Sequence, residues 1–190
     1  MSELVAFVRV GFHHIADPAA LDHVLFLLAL AAIYRGRDWR AAVRVVTAFT
    51  MGHSLTLALA VTGAMALPTD VIEFLIPVTI MAAGIENLAV RDRATAPWDR
   101  RYRPIFAGVF GLVHGAGFAN YLRSLFSGSI ALPLLGFNAG IELGQLVILL
   151  AAALALSGVD RLLGHRARVV AVSATVVLVA AFMTVKRVPW

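Results

Sequence analysis

Cysteine is absent from the 190 residues of this chain, and only 14% of the residues are charged. The absence of cysteine excludes a disulfide scaffold, a thiol nucleophile, an iron–sulfur cluster and any thiolate metal site. Soluble domains carry about 25% charged residues, so the small charged fraction excludes an ordinary water-facing globule. An apolar fraction of 61% indicates instead a protein that spans a membrane several times.

Six apolar segments approach or exceed the roughly 20 residues that a transmembrane helix needs. We predict spans over residues 18–34, 39–66, 70–90, 105–125, 133–156 and 169–185. No linker divides the chain, so residues 1–190 are expected to form a single transmembrane domain. The predicted fold is therefore an all-α bundle of six transmembrane helices.

The net charge of +5 does not indicate a nucleic-acid partner, because the basic residues lie in short loops between the apolar segments. Twelve of the sixteen fall in three alternate loops, at Arg35, Arg37, Arg40 and Arg44, at Arg91, Arg93, Arg100, Arg101 and Arg103, and at Arg161, Arg166 and Arg168. The positive-inside rule makes these loops cytoplasmic. Both termini are then expected on the outer side.

Residues 4–15 form a further apolar stretch, interrupted by Arg9, that is too short to cross a bilayer. The stretch lacks the charged start and the small-residue cleavage site of a signal peptide. We predict a short interfacial or re-entrant segment on the outer side, which brings His13 and His14 over the bundle, although His13 is also compatible with a purely interfacial position.

Ionisable side chains at membrane depth are costly and usually face a cavity or a partner. Five of the six histidines fall within or beside the predicted spans, together with two carboxylates of interest, Asp22 and Glu142. Imidazoles and carboxylates without sulfur suit nickel, cobalt, zinc and copper(II). We therefore predict a divalent transition-metal site in the outer half of the bundle, with ligands His14, His23, His53, His114 and Glu142.

The alternative for His53 or His114 taken alone is a hydrogen-bonded core histidine that joins two helices. Asp22 adjoins His23, and neighbouring helix residues point about 100° apart, so the two do not both ligate one ion. Asp22 is expected either to orient a histidine or to bind the ion at an entrance site. Glu86 lies near the predicted inner interface, where we expect it to pair with an arginine.

The fifth predicted span has a polar face and a glycine face. Asn138, Glu142 and Gln145 share one side of the helix, roughly opposite three glycines, Gly136, Gly140 and Gly144. The fourth span repeats the small-residue spacing at Gly111 and Gly115. Such glycines allow close helix packing, and a homo-oligomer through these faces is a further expectation.

Five motifs in this order resemble the HupE/UreJ family of hydrogenase and urease accessory membrane proteins: residues 22–26 (DHVLF), 47–57 (TAFTMGHSLTL), 73–80 (EFLIPVTI), 111–119 (GLVHGAGFA) and 137–145 (FNAGIELGQ). The resemblance implies a multi-pass protein of the bacterial inner (cytoplasmic) membrane that acts in nickel uptake. It also adds four polar residues that are expected to support the metal ligands, namely Ser54, Glu73, Asn138 and Gln145. Nickel is the favoured ion, and zinc, cobalt and copper stay open.

Three functions fit these features. The first is a permease for nickel or another divalent transition metal. The second is an intramembrane zinc-dependent hydrolase that uses the same histidines, with Asp22 or Glu142 as its catalytic base. The third is a metal sensor or accessory subunit without enzymatic activity. In each case the expected partners are the lipid bilayer and the metal ion, and no nucleic acid.

Overall fold

The computed structural model describes residues 2–17, 20–35, 38–65, 68–90, 99–125 and 130–189. Within this part the chain forms seven helices and no strand, which confirms the all-α fold. The helices are α1 (Glu3–Ala16), α2 (Leu21–Ile33), α3 (Trp39–Val61), α4 (Thr69–Ala89), α5 (Asp99–Leu125), α6 (Ala131–Leu163) and α7 (His165–Lys186).

Four of these helices, α3, α4, α6 and α7, are long and apolar enough to cross a membrane. They correspond to the predicted spans 39–66, 70–90, 133–156 and 169–185. The predicted span 105–125 is helical as part of α5, and its crossing of the membrane stays a prediction. The outer location of the two termini also stays a prediction.

The beginning of the chain differs from the prediction of a separate first span over residues 18–34. Helix α2 has 13 residues and a length of about 20 Å, whereas the hydrocarbon core of a bilayer is about 30 Å thick. Helices α1 and α2 meet the requirement for a span only together, and they are bent by 72° relative to each other. They form either one broken span or a re-entrant pair, and residues 18 and 19 lie outside the described part.

Helix α2 lies inside the bundle and not at its surface. Eight of its thirteen residues are buried, including the run from Ala29 to Ile33. A helix that is apolar on all sides is stable only when other elements cover every face. Helices α4, α6 and α7 supply these contacts.

Glycines bring two pairs of helices into backbone contact. Gly136, Gly140 and Gly144 of α6 lie against Leu4, Val8 and Phe12 of α1, so these helices run in the same direction. Gly111 and Gly115 of α5 lie in the same way against the backbone of Phe49 and His53 in α3. Both glycine faces therefore pack against helices of the same chain.

Two arginines at the start of α7 cover the carboxyl ends of neighbouring helices. The Arg166 guanidinium donates to the carbonyl oxygens of Val90 and Leu88, at 2.8 and 3.0 Å. Arg168, which is 2% exposed, donates to the carbonyl oxygen of Tyr34 at the end of α2. The last carbonyls of a helix lack intrahelical partners, so these bonds stabilise the ends of α4 and α2.

Large apolar side chains cover the outside of α6 and α7. Leu150 and Leu154 of α6 are 62% and 68% exposed, and Leu178 of α7 is 71% exposed. Continuous apolar surface of this kind is unfavourable in water and favourable against lipid. The surface therefore agrees with a multi-pass membrane protein.

We expect replacement of Gly140 by leucine to disrupt the packing of α1 on α6. A Cβ atom at this position overlaps the carbonyl oxygen of Val8 and lies 2.7 Å from the amide nitrogen of Phe12. Neither backbone atom can rotate away, so the variant should lose about 1–3 kcal/mol of stability or more. Thermal unfolding of the purified protein in detergent, followed by circular dichroism, measures the change.

Gly158→Leu is the matched control in the same helix, because no atom lies within 4 Å of a Cβ at Gly158. This variant should be as stable as the wild type or slightly more stable, since leucine favours the helix over glycine by about 1 kcal/mol. Equal stability of the Gly140 and Gly158 variants would contradict the packing of α1 against α6.

Candidate metal site

Four histidines from four different helices lie together inside the bundle. The ring centres of His14 (α1) and His23 (α2) are 4.6 Å apart, and those of His14 and His53 (α3) are 6.2 Å apart. The ring of His114 (α5) lies 5.9 Å from that of His23. These residues, which we call the histidine cluster, include every histidine that the sequence predicted as a metal ligand.

The nitrogen atoms of the cluster are buried and largely without hydrogen bonds. His53 is 0% exposed and His114 is 3% exposed. Both ring nitrogens of His53 have no partner, and neither has Nε2 of His14, Nδ1 of His23 or Nδ1 of His114. Buried polar atoms of native proteins usually have a partner, so five such nitrogens at one place make the cluster the candidate site for an ion or for bound water.

One contact engages a ring nitrogen of His114. The hydroxyl of Thr79 in α4 lies 2.7 Å from the carbonyl oxygen of Ile76. The same hydroxyl oxygen lies 3.1 Å from Nε2 of His114. Nδ1 of His114 is the ring nitrogen without a partner, and it is therefore the nitrogen open to a metal ion.

Aromatic rings close the histidine cluster on two sides. Phe118 and Phe137 are stacked with their ring centres 5.2 Å apart, and the ring of His14 lies 3.8 Å from that of Phe118. On the other side, the rings of Phe26 and Phe49 lie 5.4 and 5.2 Å from that of His114. These walls keep water from the nitrogens and strengthen any electrostatic interaction inside.

Pairs of rings in the cluster are close enough to share an ion. Two imidazoles that bind one ion at about 2.0–2.1 Å have ring centres roughly 4.5–6.5 Å apart. The distances between His14 and His23, between His14 and His53, and between His23 and His114 fall in this range. Among the residues that the structure describes, however, no three His, Asp or Glu side chains are arranged to hold a metal ion.

The polar face of α6 meets α3 and not the histidine rings. The hydroxyl of Thr47 donates to Oε1 of Glu142 at 2.6 Å, and that of Thr50 donates to Oε1 of Gln145 at 2.7 Å. Thr47 lies six residues before His53, or about 9 Å along the axis of α3. The predicted role of Glu142 as a ligand of the same metal ion as the histidine cluster therefore stays a prediction.

Two oxygen atoms on this face are buried without a hydrogen-bond partner, Oε2 of Glu142 and Oδ1 of Asn138. Both residues lie toward the beginning of α6 and project from the side that is turned away from its glycines. Together with Gln145, which accepts a hydrogen bond from Thr50, they make up the polar face of α6.

Asp22 is engaged in an ion pair at the end of α7. Both of its carboxylate oxygens lie 3.2 Å from the Arg187 guanidinium. The same guanidinium donates to the carbonyl oxygen of Glu73 at 3.4 Å. Pro77 has no N–H group that could bond this carbonyl oxygen within α4. The Arg187 guanidinium therefore supplies the hydrogen bond to the carbonyl oxygen of Glu73, and it also forms the ion pair with Asp22.

The side chains of Glu73 and Ser54 have no described role at the cluster. Glu73 is exposed, and Ser54 is partly buried beside His53. Their predicted support of the metal ligands stays a prediction. Glu86, in contrast, pairs with Arg103 at 2.8 Å, which confirms the expected partnership with an arginine.

Sequence reasoning missed Thr79, which orients His114, and the four phenylalanines that enclose the cluster. Three of these phenylalanines, Phe26, Phe49 and Phe137, are at most 1% exposed and so lie inside the bundle. A threonine in the middle of an apolar span is a usable signal, because its hydroxyl needs a partner there. The aromatic positions carry no such signal.

A family model for the HupE / UreJ protein matches residues 1–187 of the chain. The chain belongs to the HupE/UreJ family. This match confirms the resemblance carried by the five motifs, and it supports a membrane protein with a role in nickel transport or as an accessory protein. Neither the curated proteins nor the solved structures contain a match to this HupE/UreJ chain.

We expect replacement of His53 by leucine to stabilise the metal-free HupE/UreJ protein. Two buried nitrogens without partners disappear, and each costs about 1–3 kcal/mol. Each kcal/mol raises the unfolding midpoint of a protein of this size by about 2–4 °C. The measurement is the thermal midpoint in detergent with a chelator present.

His114→Leu is the matched comparison, because it removes a ring that has a hydrogen-bond partner and leaves Thr79 facing an apolar side chain. Its midpoint should lie below that of His53→Leu. A large loss of stability in His53→Leu would show that His53 is a structural residue.

Proposed function

We propose that this protein carries nickel or another divalent transition metal across a membrane, and that the histidine cluster binds the ion on its way. The observation that carries the proposal is the meeting of five unpartnered ring nitrogens from four helices in a buried space. Membership of the HupE/UreJ family supports nickel as the ion. The inner membrane of a bacterium is the proposed location.

Imidazole nitrogens suit an ion that must be bound and then released. They bind nickel, cobalt, copper and zinc well, but they lack the negative charge of a thiolate, and this chain has no cysteine. A neutral cluster also costs less to bury without the ion than a group of carboxylates does. The site can therefore exist both with and without its cargo.

The bend between α1 and α2 supplies a way to change the binding site. His14 lies two residues before the end of α1, and His23 lies two residues after the start of α2. The two ligands therefore flank the 72° bend between the helices. A change in this angle moves the two rings relative to each other, which weakens a site that needs both of them.

The contacts of the carboxylates favour transport over hydrolysis. A hydrolase needs Asp22 or Glu142 as a base beside a metal-bound water. Asp22 is paired with Arg187, and Glu142 accepts a hydrogen bond from Thr47. The ion pair occupies the carboxylate of Asp22, and Thr47 holds Glu142 about 9 Å along α3 from His53, so both carboxylates are poorly placed to act on a water bound at the cluster.

The proposal is tested by uptake of radioactive nickel into proteoliposomes, with metal analysis of the same purified protein. Wild-type vesicles should accumulate nickel, and His53→Ala should lower both uptake and bound metal by about tenfold or more, as expected when a site loses a ligand. His114→Ala should behave in the same way.

His13→Ala is the matched control, since His13 is an exposed histidine next to His14 on the same helix. It should retain wild-type uptake and wild-type metal content. Wild-type vesicles that bind metal but accumulate none of the tested divalent ions would overturn transport and favour a sensor, an accessory subunit or a hydrolase. Equal losses in His13→Ala and His53→Ala would overturn the assignment to the cluster.

A further inference from the structure

We infer that Glu86 and Asn87 form a second binding site for the transported divalent cation, at which Arg103 takes the place of the cation when the ion is absent. We call this pair the inner oxygen site. The inference rests on the proposed transport function. The inner oxygen site binds the ion after the ion has left the histidine cluster.

The inner oxygen site is a buried and ordered polar group. Nη2 of Arg103 lies 2.8 Å from Oε2 of Glu86 and 2.8 Å from Oδ1 of Asn87. Arg103 is 4% exposed and Asn87 is 1% exposed. The amide of Asn87 donates to the carbonyl oxygen of Ala29 at 2.6 Å, which turns its own oxygen toward the guanidinium.

A single aromatic layer separates this site from the histidine cluster. A small cavity between α2, α4 and α5 is lined by Glu86, Asn87 and Arg103, and also by Phe26 and Phe110. The ring of Phe26 lies 5.4 Å from the ring of His114, which belongs to the cluster. Phe26 therefore contacts the cluster on one side and faces the cavity of the inner oxygen site on the other.

The groups that hold the guanidinium are suited to a metal cation. A carboxylate and an amide oxygen are common ligands of divalent ions, and they bind nickel less tightly than imidazoles do. An ion that moves from nitrogen ligands to oxygen ligands becomes easier to release into water. The carboxylate of Glu86 is partly buried, with 21% of its side chain exposed, and Arg103 supplies its positive partner between transport events.

The experiment separates a binding site from a merely structural ion pair. In Glu86→Gln alone, Arg103 loses its charged partner, so the decisive variant is the double substitution Glu86→Gln with Arg103→Gln, which removes both charges. Asp70→Asn, which changes an exposed carboxylate on the same helix, is the control. Nickel binding is measured by equilibrium dialysis in detergent, and nickel uptake is measured in proteoliposomes.

We expect the double variant to keep the tight nickel binding of the intact histidine cluster, to lose the weaker binding at the inner oxygen site, and to lose about tenfold in uptake rate, equivalent to about 1.4 kcal/mol. The control should match the wild type in both assays. Wild-type uptake by the double variant would overturn the inner oxygen site. Absence of nickel binding in the wild type would instead overturn the proposed function.

Should the double variant fail to fold, Phe26→Leu tests the same route. A thinner layer between the two sites should raise the uptake rate while the amount of bound nickel stays unchanged. Unchanged or slower uptake with normal binding would overturn the inference.

Discussion

Close backbone contact at two glycine faces sets the position of the histidine cluster. Gly115 of α5 lies directly against the backbone of His53, and Gly144 of α6 lies against Phe12 and Ile15, on either side of His14. Larger residues at these positions would push α5 away from α3, and α1 away from α6. The distances between the rings therefore depend on residues that carry no chemistry themselves.

The cluster is unfavourable for stability as long as it is empty. Five buried ring nitrogens lack a hydrogen bond, and at about 1–3 kcal/mol for each their combined cost is comparable to the whole stability of a small protein, about 5–15 kcal/mol. The stacked phenylalanines and the buried α2 must offset this cost. An apolar core would fill the same space at lower cost, which is the physical argument for proposing that the cluster binds a ligand.

Part of this site was predictable from the sequence, because histidines at membrane depth are rare and each needs a reason. The helical period alone predicted the polar face and the glycine face of α6. The bend between α1 and α2 was not predictable from hydropathy, because both halves are apolar. The ion pair of Asp22 with Arg187 joins residues 165 positions apart, and no local pattern indicates such a contact. The role of Thr79 likewise depends on the packing of α4 against α5.

The most direct test of the account is the nickel K-edge X-ray absorption spectrum of nickel-loaded wild-type protein, with His53→Ala as the reference. The account predicts a shell of nitrogen ligands at about 2.1 Å, accompanied by the multiple-scattering features of imidazole rings, and a loss of these features in the variant. A wild-type spectrum of oxygen ligands alone, without imidazole scattering, would contradict binding by the histidine cluster.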